Sequence, residues 1–258
     1  MKALLALLLL LLPLRGMAEP ADNAAFAFDA RLGAQLPPDA ALRDEQGRTV
    51  TLGTVMGGAP LVLALGYFHC PNICGVVRDD ILSGLERAGL RAGTDYRLLV
   101  LSIDPEETPA DAARAKEGAL SRYPDPGAES GWRFLTAPAP GIAAITAAAG
   151  FRSRFDPALK QFLHPAGVVI ASPAGIISNY LLGVGYQPSD VRSAVLRADQ
   201  GAVATAISPV LLLCFHFDPK TGSYDFAVYR ALSVLAALTL VTLGALFVLL
   251  QRRGRRRA

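Results

Sequence analysis

Apolar strands alternating with helical segments, then a hairpin and a closing helix, predict an α/β sandwich. Residues 61–67, opened by Pro60, and residues 96–103 are nearly all-apolar runs, the kind that fill a sheet covered on both faces. After each run the pattern turns helical, as a strand–helix–strand order requires. The later part, residues 167–182, reads as two strands joined through Pro173-Ala174-Gly175, and residues 188–198 read as a last helix.

Taken in order, the chain opens with Lys2, an apolar run over residues 3–12, Pro13, and the small residues Gly16 and Ala18. Residues 1–18 are expected to be a cleavable secretory signal, because the apolar run is too short to cross a bilayer comfortably. Residues 19–41 are Ala-rich without a sustained period and are expected to form a loosely ordered lead-in. The folded domain is expected over residues 42–200. Residues 42–52 read as a hairpin turning at Gln46-Gly47. Strand 61–67 delivers a loop with Cys70 and Cys74, and residues 76–88 read as a helix. Strand 96–103 ends at Asp104-Pro105-Glu106-Glu107-Thr108-Pro109, and a helix to residue 120 follows, with proline and acidic residues suited to its start. Residues 123–130 read as a Pro/Gly loop, 132–135 as a short strand, and 138–149 as a helix stopped by Gly150. This order suggests a sandwich of thioredoxin type, one domain large enough for a core.

Beyond the domain, residues 201–230 form a membrane-proximal segment. Residues 231–250 are twenty residues without a charge, long enough at about 1.5 Å each to cross a ~30 Å hydrocarbon core. A C-terminal transmembrane helix is expected there. The tail over 251–258 carries Arg252, Arg253, Arg255, Arg256 and Arg257, which by the positive-inside rule stays in the cytoplasm. The expected arrangement is a single-pass protein of the bacterial cytoplasmic (inner) membrane, with the main domain on the outer, periplasmic side. The formal charge of +3 is therefore not that of the domain. Without Lys2, Arg15 and the five tail arginines, 18 basic residues face 22 acidic ones, a net of −4. Neither that balance nor the compartment suits nucleic acid as a partner.

Two of the three cysteines, Cys70 and Cys74, lie four residues apart between a strand and a helix. If both sat on the first helical turn, the i, i+4 relation would put their sulfurs on one face, able to grip a soft ion. A helix N-terminus would also favour the thiolate needed for metal binding and for disulfide chemistry. In an oxidising compartment such a pair closes to a disulfide unless a metal or a reductase intervenes.

Gly66-Tyr67-Phe68-His69-Cys70-Pro71-Asn72-Ile73-Cys74, then Ser102-Ile103-Asp104-Pro105 with Thr108-Pro109, then His164 ahead of Pro173-Ala174-Gly175, resembles the Sco/SenC family over roughly residues 42–198. The resemblance implies a thioredoxin-fold, membrane-tethered protein concerned with copper delivery to cytochrome c oxidase. It implies Cys70, Cys74 and His164 as copper ligands and places Asp104 near the site. On its residues alone His164 reads as a loop histidine before a proline; the resemblance makes it a ligand. The donor chemistry agrees, since two soft thiolates and one imidazole suit Cu(I) and can hold Cu(II). Structural zinc usually takes four donors, whereas an open three-donor site suits an ion that is handed on. Methionine-rich copper carriage is excluded, because only Met56 remains after signal removal. His69 is expected to orient the loop or tune its ionisation rather than bind metal.

Three features depart from the family. Asn72 stands where Asp is common, which should ease thiolate formation. Gly75 stands where Pro is frequent, and the anchor lies at the C-terminus. Cys214 and His216 alternate along a strand-like segment, read either as a second metal or docking site or as a buried strand with a thiol and a histidine.

The resulting expectation is a membrane-anchored copper chaperone, with the copper-site subunit of cytochrome c oxidase and a thiol reductase of the same compartment as partners. The alternative is a thiol-disulfide oxidoreductase in which Cys70 attacks and Cys74 resolves. A copper or redox sensor is a third class, and a peroxidase fits less well because Phe68 stands where a polar neighbour would help.

Overall fold

The computed structural model describes residues 26–70, 73–204, 217–218, 223–224 and 235–244; for 73–74, 217–218 and 223–224 the description is of the backbone. Its centre is a five-stranded sheet in the order β11-β10-β4-β5-β6. Here β4 is Leu61–Gly66, β5 Arg97–Ser102, β6 Trp132–Leu135, β10 Gly167–Ala171 and β11 Ile177–Leu182. The first three run parallel, with Leu61 opposite Arg97 and Leu98 opposite Trp132. β10 joins the other edge of β4 antiparallel, and β11 completes the hairpin.

Every residue of β4 is buried, as its unbroken apolar run predicts for a two-sided sheet. Alternation divides the core. Val62, Ala64, Leu98 and Val100 face the layer of helices α2 (Ile73–Arg87), α3 (Pro109–Arg122) and α6 (Pro188–Asp199). Leu61, Leu63, Leu65, Leu99 and Leu101 face the opposite layer, with α1 (Leu52–Met56) and α5 (Ala139–Ala148). This is the α/β sandwich of thioredoxin type that the sequence predicts.

The hairpin of β2 (Ala41–Arg43) and β3 (Thr49–Thr51) is present, with Gly47 at φ 78° where a side chain would be strained. The predicted loop over 123–130 is partly helical, as α4 (Ala128–Gly131). The lead-in differs from expectation over its second half. β1 (Ala27–Phe28) pairs with β7 (Phe151–Arg152), Gln35 bridges Ile176, and Leu36 is fully buried. Gly150 permits this close approach. Its amide oxygen accepts from Asp29 N at 2.7 Å, and a Cβ on it would lie 1.9 Å from Asp29 O. Leu36 is thus core, with Phe28, Leu32, Ala34 and Ala40 packed partly buried against it, which the segment's lack of periodicity concealed.

A second hairpin, β8 (Arg154–Asp156) and β9 (Gln161–Leu163), leads directly to His164. Further on, β12 (Phe217–Asp218) pairs with β13 (Ser223–Tyr224). Cys214 and His216 lie outside the described residues. Of the expected span over 231–250, residues 235–244 are helical. Among the described residues no helix is long and apolar enough to cross a membrane.

Candidate metal centre

The cysteine loop leaves the carboxyl end of β4, where a parallel sheet presents its ligand-binding edge. Tyr67 continues the alternation of Leu63 and Leu65 and is buried on their side of the sheet. Cys70 is half-buried against the same apolar cluster. It lies before α2 rather than on it, because α2 begins at Ile73. Pro71 explains this: a residue preceding proline is driven away from helical backbone angles. The two cysteines therefore do not stand in an i, i+4 helical relation; Cys70 is on the loop, and Cys74 is in the first turn of α2. The side chain of Cys74 lies outside the described residues.

His164 reaches this end of the sheet from β9. Its ring packs edge-on to Tyr67, with centroids 6.0 Å apart, and against Phe151 at 5.7 Å. Phe162 holds the other flank of Tyr67 at 5.8 Å and is itself met by Phe155 at 5.1 Å. The fold thus brings His164 onto the residue three positions before Cys70, across a long separation in sequence. Its Nδ1 lies 3.0 Å from the carbonyl oxygen of Pro165. A carbonyl only accepts, so Nδ1 carries the proton and Nε2 the lone pair that a metal would use. Among the described residues no three His, Cys, Asp or Glu side chains form a metal-sized cluster, and of the expected trio the described side chains are Cys70 and His164.

His69 turns toward α3. Its Nδ1 is 3.1 Å from Glu107 Oε1 and its Nε2 is 3.3 Å from Asp111 Oδ1. Glu107 is the residue that sequence reasoning missed. Its buried carboxylate accepts from the backbone N–H of Phe68 at 2.8 Å, that of His69 at 2.6 Å, and the Ser102 hydroxyl at 2.6 Å. One side chain therefore ties the end of β5 to the start of the cysteine loop. The Asp104 carboxylate accepts from Glu106 N at 2.9 Å and shapes the turn that brings Glu107 inward. Asp111 caps α3 reciprocally with Thr108. Hydrogen bonds from the Thr108 hydroxyl and backbone, aided by the charges of His69 and Arg114, hold its carboxyl below the usual range against some desolvation.

The comparisons agree with this architecture. The SCO1/SenC family model matches residues 29–118. No curated protein matches the sequence significantly. Among solved structures, a proposed electron transfer protein from Aquifex aeolicus VF5 shares 26% identity at a TM-score of 0.59, covering 67% of this chain and 96% of its own. A proposed electron transport protein from the same organism shares 26% identity at 0.55, covering 66% and 99%. Arabidopsis thaliana ScoI, solved with copper bound, shares the fold at 16% identity and a TM-score of 0.52, covering 66% and 99%. With its cysteine loop inside the matched segment and its sheet like those of these proteins, the chain is similar to the SCO1/SenC family over residues 29–118.

Proposed function

We propose that the chain is a membrane-anchored copper chaperone that binds copper through Cys70, Cys74 and His164 and passes it to the copper site of cytochrome c oxidase. Copper is the cargo here. The observation that carries the reading is His164: its tautomer is set by the Pro165 carbonyl and its ring is held over Tyr67, three residues from Cys70. A soft pair of thiolates with one imidazole suits Cu(I), and the copper-bound relative supports the assignment. The helical residues 235–244 support an anchor over 231–250, with the domain outside and the arginine tail in the cytoplasm. Anaerobic titration of the reduced full chain with Cu(I) tests the reading. One equivalent should bind tightly, and His164→Ala should weaken binding about tenfold or more. Stoichiometric binding indifferent to His164→Ala would remove histidine from the ligand set.

A second reading, thiol-disulfide exchange on the oxidase cysteines or another exported protein, is favoured by the placement of the pair. Cys70 is partly accessible on the loop, and the backbone of Cys74 stands four residues on, in the first turn of α2. In that reaction the Cys70 thiolate attacks a substrate disulfide, and Cys74 then displaces the substrate thiolate, leaving the chain oxidised and the substrate reduced.

A further inference from the structure

Beside the cysteine loop, α2 and α3 flank a cleft of about 250 Å³ that includes Phe68, His69, Arg78, Arg114, Arg122 and Asp111. Its charges do not balance. Arg114 pairs with Asp111, which also faces His69. Arg122 pairs with Asp79 at 3.0 Å, and that same carboxylate is the nearest acid to Arg78, at 3.6 Å. Three guanidiniums thus share two carboxylates. Glu107 does not correct the excess, because it is buried and engaged with the N–H groups of Phe68 and His69. Arg78 Nε and Asp79 Oδ1, the two atoms of that 3.6 Å contact, are both buried and both without a hydrogen-bond partner among the described residues. Arg78 lies one helical turn after Cys74, with its terminal nitrogen 3.9 Å from where a Cβ on Gly75 would stand. The guanidiniums open to solvent are those of Arg114 and Arg122, and a carboxylate is their best-matched further partner.

We propose that this cleft is a docking socket for carboxylate side chains of the protein that exchanges copper or electrons with the cysteine loop. The inference rests on the functional reading above only in assuming such a partner. A macromolecular occupant is favoured over a small anion by position. Phe68 and His69 belong to both the cleft and the loop, so a protein face that reaches Cys70 also covers the arginines. The partner's matching surface is acidic, and the encounter is accelerated at low salt.

The test uses the reduced full chain in detergent, with a fluorescently labelled, acetylated and amidated tetraglutamate peptide read by anisotropy, and copper binding measured in parallel. The glutamate peptide should bind, a tetraglutamine peptide should not, and added salt should weaken the complex. Arg114→Gln and Arg122→Gln, both on exposed side chains, should each reduce peptide affinity about tenfold. Arg91→Gln, on an exposed side chain paired with Asp95, should not change it. Peptide binding that depends on Arg114 and Arg122 upholds the socket even if the chain binds no copper, which would defeat the copper reading alone. A chain that binds copper normally but ignores the peptide overturns the socket, as does peptide binding retained in both variants. Inorganic phosphate binding as tightly as the peptide would also overturn it.

Discussion

Glu107 shows how one buried side chain sets the geometry of a reactive loop. Its carboxylate gathers two backbone N–H groups and the Ser102 hydroxyl at the carboxyl end of the sheet. Replacing it with alanine strands donors that burial keeps from water, so Glu107→Ala should cost about 2–3 kcal/mol in denaturant unfolding and also weaken copper binding. Asp104→Asn should do far less to either, since that side chain keeps an oxygen for the N–H of Glu106. The proposed ligands stand out in the sequence by residue type: two of three cysteines within five residues, and a histidine matching a family pattern. Glu107 was not legible. It follows Glu106 in an acidic turn, and which carboxylate points inward depends on a backbone path that spacing does not reveal. The aromatic setting of His164 was half legible, since Tyr67 continues the alternation of β4 while Phe151 arrives from a separate strand.

At the scale of elements, α3 shows a terminus fixed by local chemistry. Thr108 and Asp111 exchange hydrogen bonds with each other's backbone, and Pro109 occupies the first turn. The folded-state pKa of Asp111 is lowered, so its contribution to stability is fully present above the unfolded value near 4 and is lost as pH falls through the folded value. Asp95 behaves likewise, through hydrogen bonds from the backbone and side chain of Arg91. For Asp44, burial pushes the pKa up, but hydrogen bonds from Arg48 and Gln46 prevail and lower it. The domain should therefore lose thermal stability below about pH 4. Asp111→Asn should cost about 1 kcal/mol at pH 7 and flatten the acid limb of Tm against pH; an unchanged limb would show that other carboxylates dominate it. Strong local signals made the ends of α3 readable in advance, as unbroken apolar runs did for β4 and β5. The β8–β9 hairpin left little trace, because its exposed Phe155 and half-buried Phe162 do not alternate against a solvated face. α2 starts at Ile73, three residues before the expected 76, while Pro71 keeps Cys70 off it, so the conditional i, i+4 placement of the cysteines is not met.

For the whole molecule, the sheet serves as the rigid platform. Both layers of core converge on the carboxyl ends of β4 and β5, where the cysteine loop, Glu107 and the aromatic cluster around His164 meet. The nearly unbroken apolar runs of β4 and β5 made the sheet covered on both faces readable from sequence. The docking of the lead-in onto β7 was not, since it depends on a close approach at Gly150 rather than on any repeating pattern. The central claim is that this platform unites two thiolates and one imidazole on a single copper ion. X-ray absorption at the copper edge of the full chain, loaded anaerobically with one equivalent of Cu(I), tests it most directly. Two sulfur neighbours and one nitrogen with imidazole scattering are predicted, the nitrogen disappearing in His164→Ala. A copper shell of sulfur alone, the same in wild type and His164→Ala, would contradict the account.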